Sequence, residues 1–179
     1  MLLYRYYKIN ITKAVSDGEY LSFAQLALYD QNDNLIIGTG ITHTAASATL
    51  TGTVQPFWAS LEGAFDNEIS EGGSNLEMIG KIFHTDEIIS SLGTVVLQID
   101  FGSGGAKKVG MYRIWVRSGY HTTDTPKNWT FEASNDGLSW DILDTRSDIT
   151  DWPDTSDISG QLASNNIASA KEFIISQLN

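Results

Sequence analysis

Apolar and polar residues alternate with a period of two along most of this chain. Successive side chains of a β-strand point to opposite faces of a sheet, so this period predicts strands with one buried face. A helical turn or two at most is expected, near residues 84–93. Many short strands at regular spacing are typical of an all-β sandwich or barrel. The strongest strand patterns lie at 4–12, 21–30, 35–42, 94–102 and 107–119.

Residues 129–143, WTFEASNDGLSWDIL, form the clearest local pattern. Asp136-Gly137 stands between two alternating runs, which is the strongest short-range signal for a β-hairpin. A two-residue loop sets Phe131 opposite Ile142, so that apolar side chains meet across the strands. We therefore expect one sheet face to bury the apolar side chains of both runs, namely Trp129, Phe131, Trp140 and Ile142.

Composition limits the classes of partner and chemistry. A chain of 179 residues is typical of one domain. The absence of cysteine excludes disulfides, thiol catalysis and thiolate metal sites. Eleven basic and 22 acidic residues give a net charge of −11, which disfavours nucleic acid and anionic membranes as partners. Arg5 and Lys8 interrupt the apolar start, so we expect no signal peptide, and no membrane insertion is expected.

Four segments together resemble discoidin-like domains, also called F5/8 type C or galactose-binding-like domains. They are AFDNEIS at 64–70, LQIDFGSGGAKKVGMYRI at 97–114, PKNWTFEASNDGLSWDILDT at 126–145, and YRYYKINIT with YLSFAQLALYD at 4–30. The third is the most specific, and the resemblance covers most of residues 4–145. In many members the segment like 4–30 closes the domain at the C-terminus. Here it comes first, as in bacteriophage tail and virion versions.

The resemblance implies a single domain over residues 1–179 with a jelly-roll β-sandwich fold. Residues 4–30 would form its closing hairpin, and residues 144–179 a loop-rich C-terminal segment. It also implies a binding module rather than an enzyme. We expect a virion structural or adhesion component made in the host cytoplasm. Its partners would be other virion proteins, further copies of itself and a host surface glycan. The alternative is a cellular or secreted carbohydrate-binding module that is appended to, or works with, a glycan-active system.

Members of the family often hold a structural calcium near the segment that resembles AFDNEIS. Asp66 is kept here, but Asn67 replaces the family's glycine and Gln25 replaces its glutamate. A neutral amide is a poorer ligand for a hard cation than a carboxylate, although Glu68 and Glu71 could compensate. Calcium is therefore disfavoured, and no cofactor is expected. The three histidines also lack metal-ligand spacing, which predicts neither a metal site nor a catalytic site.

The run YRIWVRSGYH at 112–121 holds the candidate ligand residues. Alternation places Trp115 and Arg117 on the face opposite Tyr112, before the chain enters a loop. Aromatic faces and arginine side chains are groups that hold sugars. Trp115 could instead pack beneath a neighbouring loop while the arginines pair with acidic side chains. The candidate glycan contacts are Trp115, Arg117, Tyr120, His121 and Trp58.

The last run, SAKEFIISQLN at 169–179, could form a strand with Phe173 and Ile175 facing inward. The N-terminal strand already resembles the same element of the family, so one of the two would be surplus to a closed sandwich. A surplus apolar strand is a ready edge for pairing with another chain. We therefore expect the segment from Ile167 onward to be an assembly arm that contacts a neighbouring subunit or virion protein, as a strand or as a short helix.

Overall fold

A computed structural model describes residues 2–16, 20–37, 47–51, 61, 64–65, 82–117, 122–154 and 170–175. Within these ranges the chain folds into antiparallel strands and one short helix, α1, Ile89–Leu92. The helix lies inside the segment where a turn or two was expected. The strands are β1 Tyr6–Ala14, β2 Ser22–Phe23, β3 Gln25–Tyr29, β4 Leu35–Ile37, β5 Ser47–Thr51, β6 Phe83–His84, β7 Val95–Asp100, β8 Met111–Trp115, β9 Pro126–Ser134, β10 Asp141–Arg146 and β11 Ala170–Ile174.

The strands form a β-sandwich, which confirms the all-β prediction. One sheet has five strands in the order β10-β9-β1-β7-β5, the other has four in the order β11-β8-β3-β4, and β2 pairs with β6 in a small third sheet. The first strand of the chain is the centre of the five-stranded sheet, between β7 and β9. No helix in the described ranges is long and apolar enough to cross a membrane.

The core lies between the two large sheets, where the period-two pattern sends alternate side chains. Tyr7 and Phe131 reach it from the five-stranded sheet, and Tyr112 reaches it from the other. The Phe131 ring stacks on Tyr112 at 4.7 Å and on Tyr7 at 5.8 Å between ring centres. Burying a large apolar side chain contributes about 1.5–3 kcal/mol, so this aromatic stack is a major source of stability.

The register predicted for the hairpin is wrong on the β10 side. Trp140 is half-buried and lies outside the core, Ile142 is 52% exposed, and Leu143 takes the inward position. The physical reason is that the connecting loop is one residue longer than predicted, so Asp141 instead of Trp140 lies opposite Ala133, and Ile142 lies opposite Glu132 on the outer face. The turn also differs from type I′, because Gly137 has a φ of 72° but Asp136 has no positive φ. Trp129 and Phe131 are buried as predicted.

Residues 4–30 do not form a hairpin, because β1 and β3 lie in different large sheets. The prediction that the C-terminal segment is surplus to the sandwich is wrong for residues 170–175. This segment supplies β11, which pairs with β8 and buries Phe173 and Ile175 in the core. The sandwich accommodates both terminal strands because one is central and the other is an edge strand. Contact of this segment with another subunit stays a prediction.

Candidate functional site

Two of the five candidate ligand residues are described, and both are buried. Trp115 ends β8 and Arg117 follows it by two residues, with 6% and 7% of their surface exposed. Tyr120, His121 and Trp58 lie outside the described residues. The structure therefore brings Trp115 and Arg117 to one end of the four-stranded sheet, but neither side chain is open to solvent.

Trp115 lies on the outer face of the four-stranded sheet, as the alternation predicts. It packs against Ile82 and against the small side chains of Ala24 and Ala27. Its indole nitrogen makes no hydrogen bond to the described residues. This arrangement matches the alternative in which Trp115 packs beneath a neighbouring segment, and it makes Trp115 a packing residue here.

Arg117 belongs to a buried polar group that we call the end cluster, comprising Ser22, His84, Arg117 and Asp124. One oxygen of Asp124, Oδ2, is its centre. This atom lies 3.9 Å from a guanidinium nitrogen of Arg117 and 3.9 Å from Nε2 of His84. It also accepts a 3.2 Å hydrogen bond from the Ser22 hydroxyl. All four residues are less than a tenth exposed, so water screens these charges poorly.

The small sheet of β2 and β6 positions the cluster. Ser22 pairs with His84 across these strands, and Phe23 stacks on Phe83 at 4.9 Å directly behind them. The backbone N–H of Ser22 also donates to the Asp124 carbonyl at 2.9 Å. Backbone pairing and aromatic packing therefore hold segments together that are distant in sequence.

The imidazole of His84 is kept neutral at pH 7. Burial, with a smaller contribution from the Arg117 charge, lowers the pKa of His84 to about 4, although a hydrogen bond with the Thr85 carbonyl acts in the opposite direction. Because a carbonyl can only accept, Nδ1 carries the ring proton and Nε2 faces Asp124 with its lone pair. Burial raises the pKa of the Asp124 carboxyl, while hydrogen bonds from Thr123 and Ser22 and the Arg117 charge lower it.

The chemistry of the end cluster favours a structural role over a catalytic one. The Ser22 hydroxyl donates to Asp124, which differs from the hydroxyl–imidazole–carboxylate order of nucleophilic catalysis. The described ranges contain no group of three or more histidine, aspartate or glutamate residues that could hold a metal. Gln25 is buried at 1% exposure, and Asp66, Asn67, Glu68 and Glu71 lie outside those ranges. The expectation about calcium therefore stays a prediction.

Sequence reasoning placed only Arg117 in this cluster and missed Ser22, His84 and Asp124. These residues come from three loops or short strands separated by more than thirty positions each, and no spacing motif joins them. The pairing of β2 with β6 brings Ser22 to His84, and hydrogen bonds from Ser22 bring Asp124 to both.

Exposed apolar side chains form a second feature, which we call the N-terminal patch, comprising Leu2, Leu3 and Leu138. Their exposed fractions are 66%, 57% and 86%. Asn135 ties the two contributing segments together, because its amide donates to the Leu3 carbonyl and accepts from the Arg5 N–H, both at 3.1 Å. Exposed apolar groups of this kind are typical of protein-binding surfaces.

Comparison with known proteins gave no relative: no family model, no curated protein and no solved structure matches this chain.

Proposed function

We propose that this chain is a non-catalytic module with a discoidin-like jelly roll, and that it serves as a structural or adhesion component of a bacteriophage virion. The observation that carries the proposal is the place of β1. The N-terminal segment that resembles the family's closing strand lies at the centre of the five-stranded sheet, between β7 and β9. It is therefore an integral strand of the fold, which supports the strand order of the phage versions.

The other segments of the resemblance support the same conclusion. Residues 97–114 supply most of β7 and most of β8, and residues 126–145 supply β9 and most of β10. One aromatic side chain from each of three segments, Tyr7, Tyr112 and Phe131, meets the others in the central stack. Segments that belong to one fold must share a core, so this aromatic stack supports the resemblance.

The exposed surface favours assembly with other proteins over glycan binding at the end cluster. The described candidate ligand residues are enclosed, whereas the N-terminal patch exposes leucine side chains by more than half. The edge strand β11 adds Ile174, which is 65% exposed. The partners of these surfaces would be other virion proteins and further copies of the chain.

Particle incorporation of patch variants tests this role. A phage that lacks its own copy of the gene is complemented with wild-type chain, with the double variant Leu3→Asp/Leu138→Asp, or with Leu35→Asp as a matched control. Leu35 is 41% exposed on β4, away from the patch. We expect all three to fold by circular dichroism, and we expect particles to contain at least tenfold less of the double variant. Equal incorporation of the double variant would show that the patch is not the assembly surface.

A further inference from the structure

The outer face of the five-stranded sheet carries a row of side chains that the sequence did not single out. We call it the outer strip, and it comprises Tyr6, Lys8, Asn10, Gln98, Glu132 and Trp140. Lys8 lies at its centre, opposite Gln98 on β7 and Glu132 on β9. Neighbouring strands are about 4.8 Å apart, so these three positions span about 9.6 Å.

Trp140 and Tyr6 form the aromatic end of the strip. Their ring centres are 6.4 Å apart and their planes are inclined by 61°. The ammonium nitrogen of Lys8 lies 4.0 Å from the centre of a Trp140 ring. Both aromatic side chains are half-buried, so they are anchored against the sheet while part of each ring stays open. Such fixed aromatic surfaces pack well against the C–H faces of sugars.

Glu132 organises the polar part of the strip. Its Oε1 accepts from the Asn10 amide at 2.6 Å and from the Thr130 hydroxyl at 2.7 Å. Its Oε2 lies 3.1 Å from the Lys8 ammonium nitrogen. These contacts fix the side chains before a ligand arrives, so that less conformational entropy is lost on binding.

The strip also keeps hydrogen-bonding groups that the described part of the chain does not use. The Asn10 amide nitrogen donates to both Thr130 and Glu132, and its amide oxygen accepts nothing from that part. The Gln98 side chain makes no hydrogen bond there and is half-exposed on the same face. An amide offers both donors and acceptors, which is what the hydroxyl groups of a sugar require.

The charges of this face cancel in pairs. Lys8 is paired with Glu132, and Arg5 donates two 2.7 Å hydrogen bonds to the carboxylate of Asp100 beside Tyr6. A surface without net charge, on a chain with a net charge of −11, does not attract a polyanion. The balance favours an uncharged ligand.

From this geometry we infer that the outer strip binds a neutral oligosaccharide. Trp140 and Tyr6 contact its C–H faces, while Asn10, Gln98 and Glu132 exchange hydrogen bonds with its hydroxyl groups. This inference deepens the adhesion role of the proposed function and rests on it. It places the glycan surface on the face of a sheet, away from the end cluster where the sequence had suggested it.

Titration with saccharides tests the inference on the whole chain. The indole N–H signal of Trp140 is identified in a ¹H–¹⁵N spectrum as the one that disappears in Trp140→Phe. Neutral oligosaccharides built from glucose, galactose or N-acetylglucosamine are then added, in parallel with uronic-acid and sulfated saccharides. Affinities are compared for Trp140→Ala, for Gln98→Ala and for Leu35→Ala, a control at an exposed position of β4 in the other large sheet.

We expect a neutral saccharide to move the Trp140 signal, and both strip variants to bind it at least tenfold more weakly while Leu35→Ala binds as wild type. The inference is wrong if binding survives both strip substitutions, if only anionic saccharides bind, or if no saccharide binds. None of these outcomes alters the particle-incorporation result, so failure of the strip is distinguishable from failure of the proposed function.

Discussion

Tyr112 donates its hydroxyl hydrogen to Oδ2 of Asp144 across 2.7 Å inside the core. The same hydroxyl accepts a 2.8 Å hydrogen bond from the Trp129 indole, and Arg146 donates to Asp144 at 2.7 Å. Burial, together with the Asp144 charge, raises the pKa of Tyr112, so the phenol stays protonated and can donate. One line of hydrogen bonds thus joins β8, β9 and β10 across the sandwich.

Removing the central hydroxyl should destabilise the fold. Tyr112→Phe deprives the buried Trp129 N–H of its acceptor and Asp144 of a donor, and an unsatisfied buried group costs about 1–3 kcal/mol. We expect a loss of that size in the free energy of unfolding, measured by urea denaturation. Tyr6→Phe, which alters a half-exposed ring, is the control and should change stability little. Equal effects of the two substitutions would contradict the role of the buried network.

The observed register of β10 predicts opposite results for two adjacent residues. Leu143 is 4% exposed and Ile142 is 52% exposed. Leu143→Ala should therefore cost about 2–5 kcal/mol, as is usual for a large-to-small change in a core. Ile142→Ala should lie within about 0.5 kcal/mol of wild type, as is usual for surface positions. The two-residue loop suggested by the sequence predicts the reverse order, so the two unfolding midpoints distinguish the registers.

The edge strand β11 should be required for folding. Phe173 is 2% exposed and stacks on Tyr112 at 5.1 Å, whereas its neighbour Ile174 is 65% exposed. We expect Phe173→Ala to cost about 3–5 kcal/mol and Ile174→Ala to be nearly silent. Deletion of residues 170–179 should abolish cooperative thermal unfolding. A truncated chain that unfolds cooperatively near the wild-type temperature would restore the idea of a separate assembly arm.

Acid should destabilise the chain through His84. Its pKa is about 4 when folded, below the ordinary 6.5, so the unfolded chain binds a proton first as the pH falls. The neutral His84 imidazole therefore makes its full contribution to the free energy of unfolding above pH 6.5, and this contribution is lost as the pH falls from there to about 4. Asp124 acts with the opposite sign, because burial raises the pKa of its carboxyl.

The matched variant for this effect is His84→Gln, which cannot titrate. Wild type should lose more stability than His84→Gln between pH 7 and pH 5, as measured by urea unfolding at each pH. All other groups are common to both proteins, so their contributions cancel in the difference. Equal losses in the two proteins would mean that His84 is not held neutral by its surroundings.

The period-two pattern predicted the strands β1, β8 and β9, and it predicted the buried face of β8 and β9. Tyr112 and Phe131 point into the core because strand geometry alone sets the alternation. The pattern failed at Trp140, because the loop before β10 is one residue longer than the predicted two-residue turn and shifts the register, so that Asp141 lies opposite Ala133. Nothing in the local sequence distinguishes the longer loop from a two-residue turn at Asp136-Gly137.

The candidate site was less predictable, because exposure depends on distant segments. Alternation correctly turned Trp115 away from the core, but Ile82, more than thirty residues away in sequence, covers it. The outer strip was missed because a side chain expected in the core lies on the surface instead. Trp140 was assigned to the core. Its contact with Lys8 forms only because β1 pairs with β9, and this pairing could not be read from the local sequence.

The central claim is that this chain is a built-in part of a virion, and quantitative mass spectrometry of purified particles tests it most directly. Particles of the phage that encodes the chain are purified on a density gradient, washed at high salt, and compared with the soluble fraction of the lysate. We predict that the chain stays with the particles in a fixed number of copies relative to their major structural proteins. Recovery of the chain only in the soluble fraction would contradict the claim.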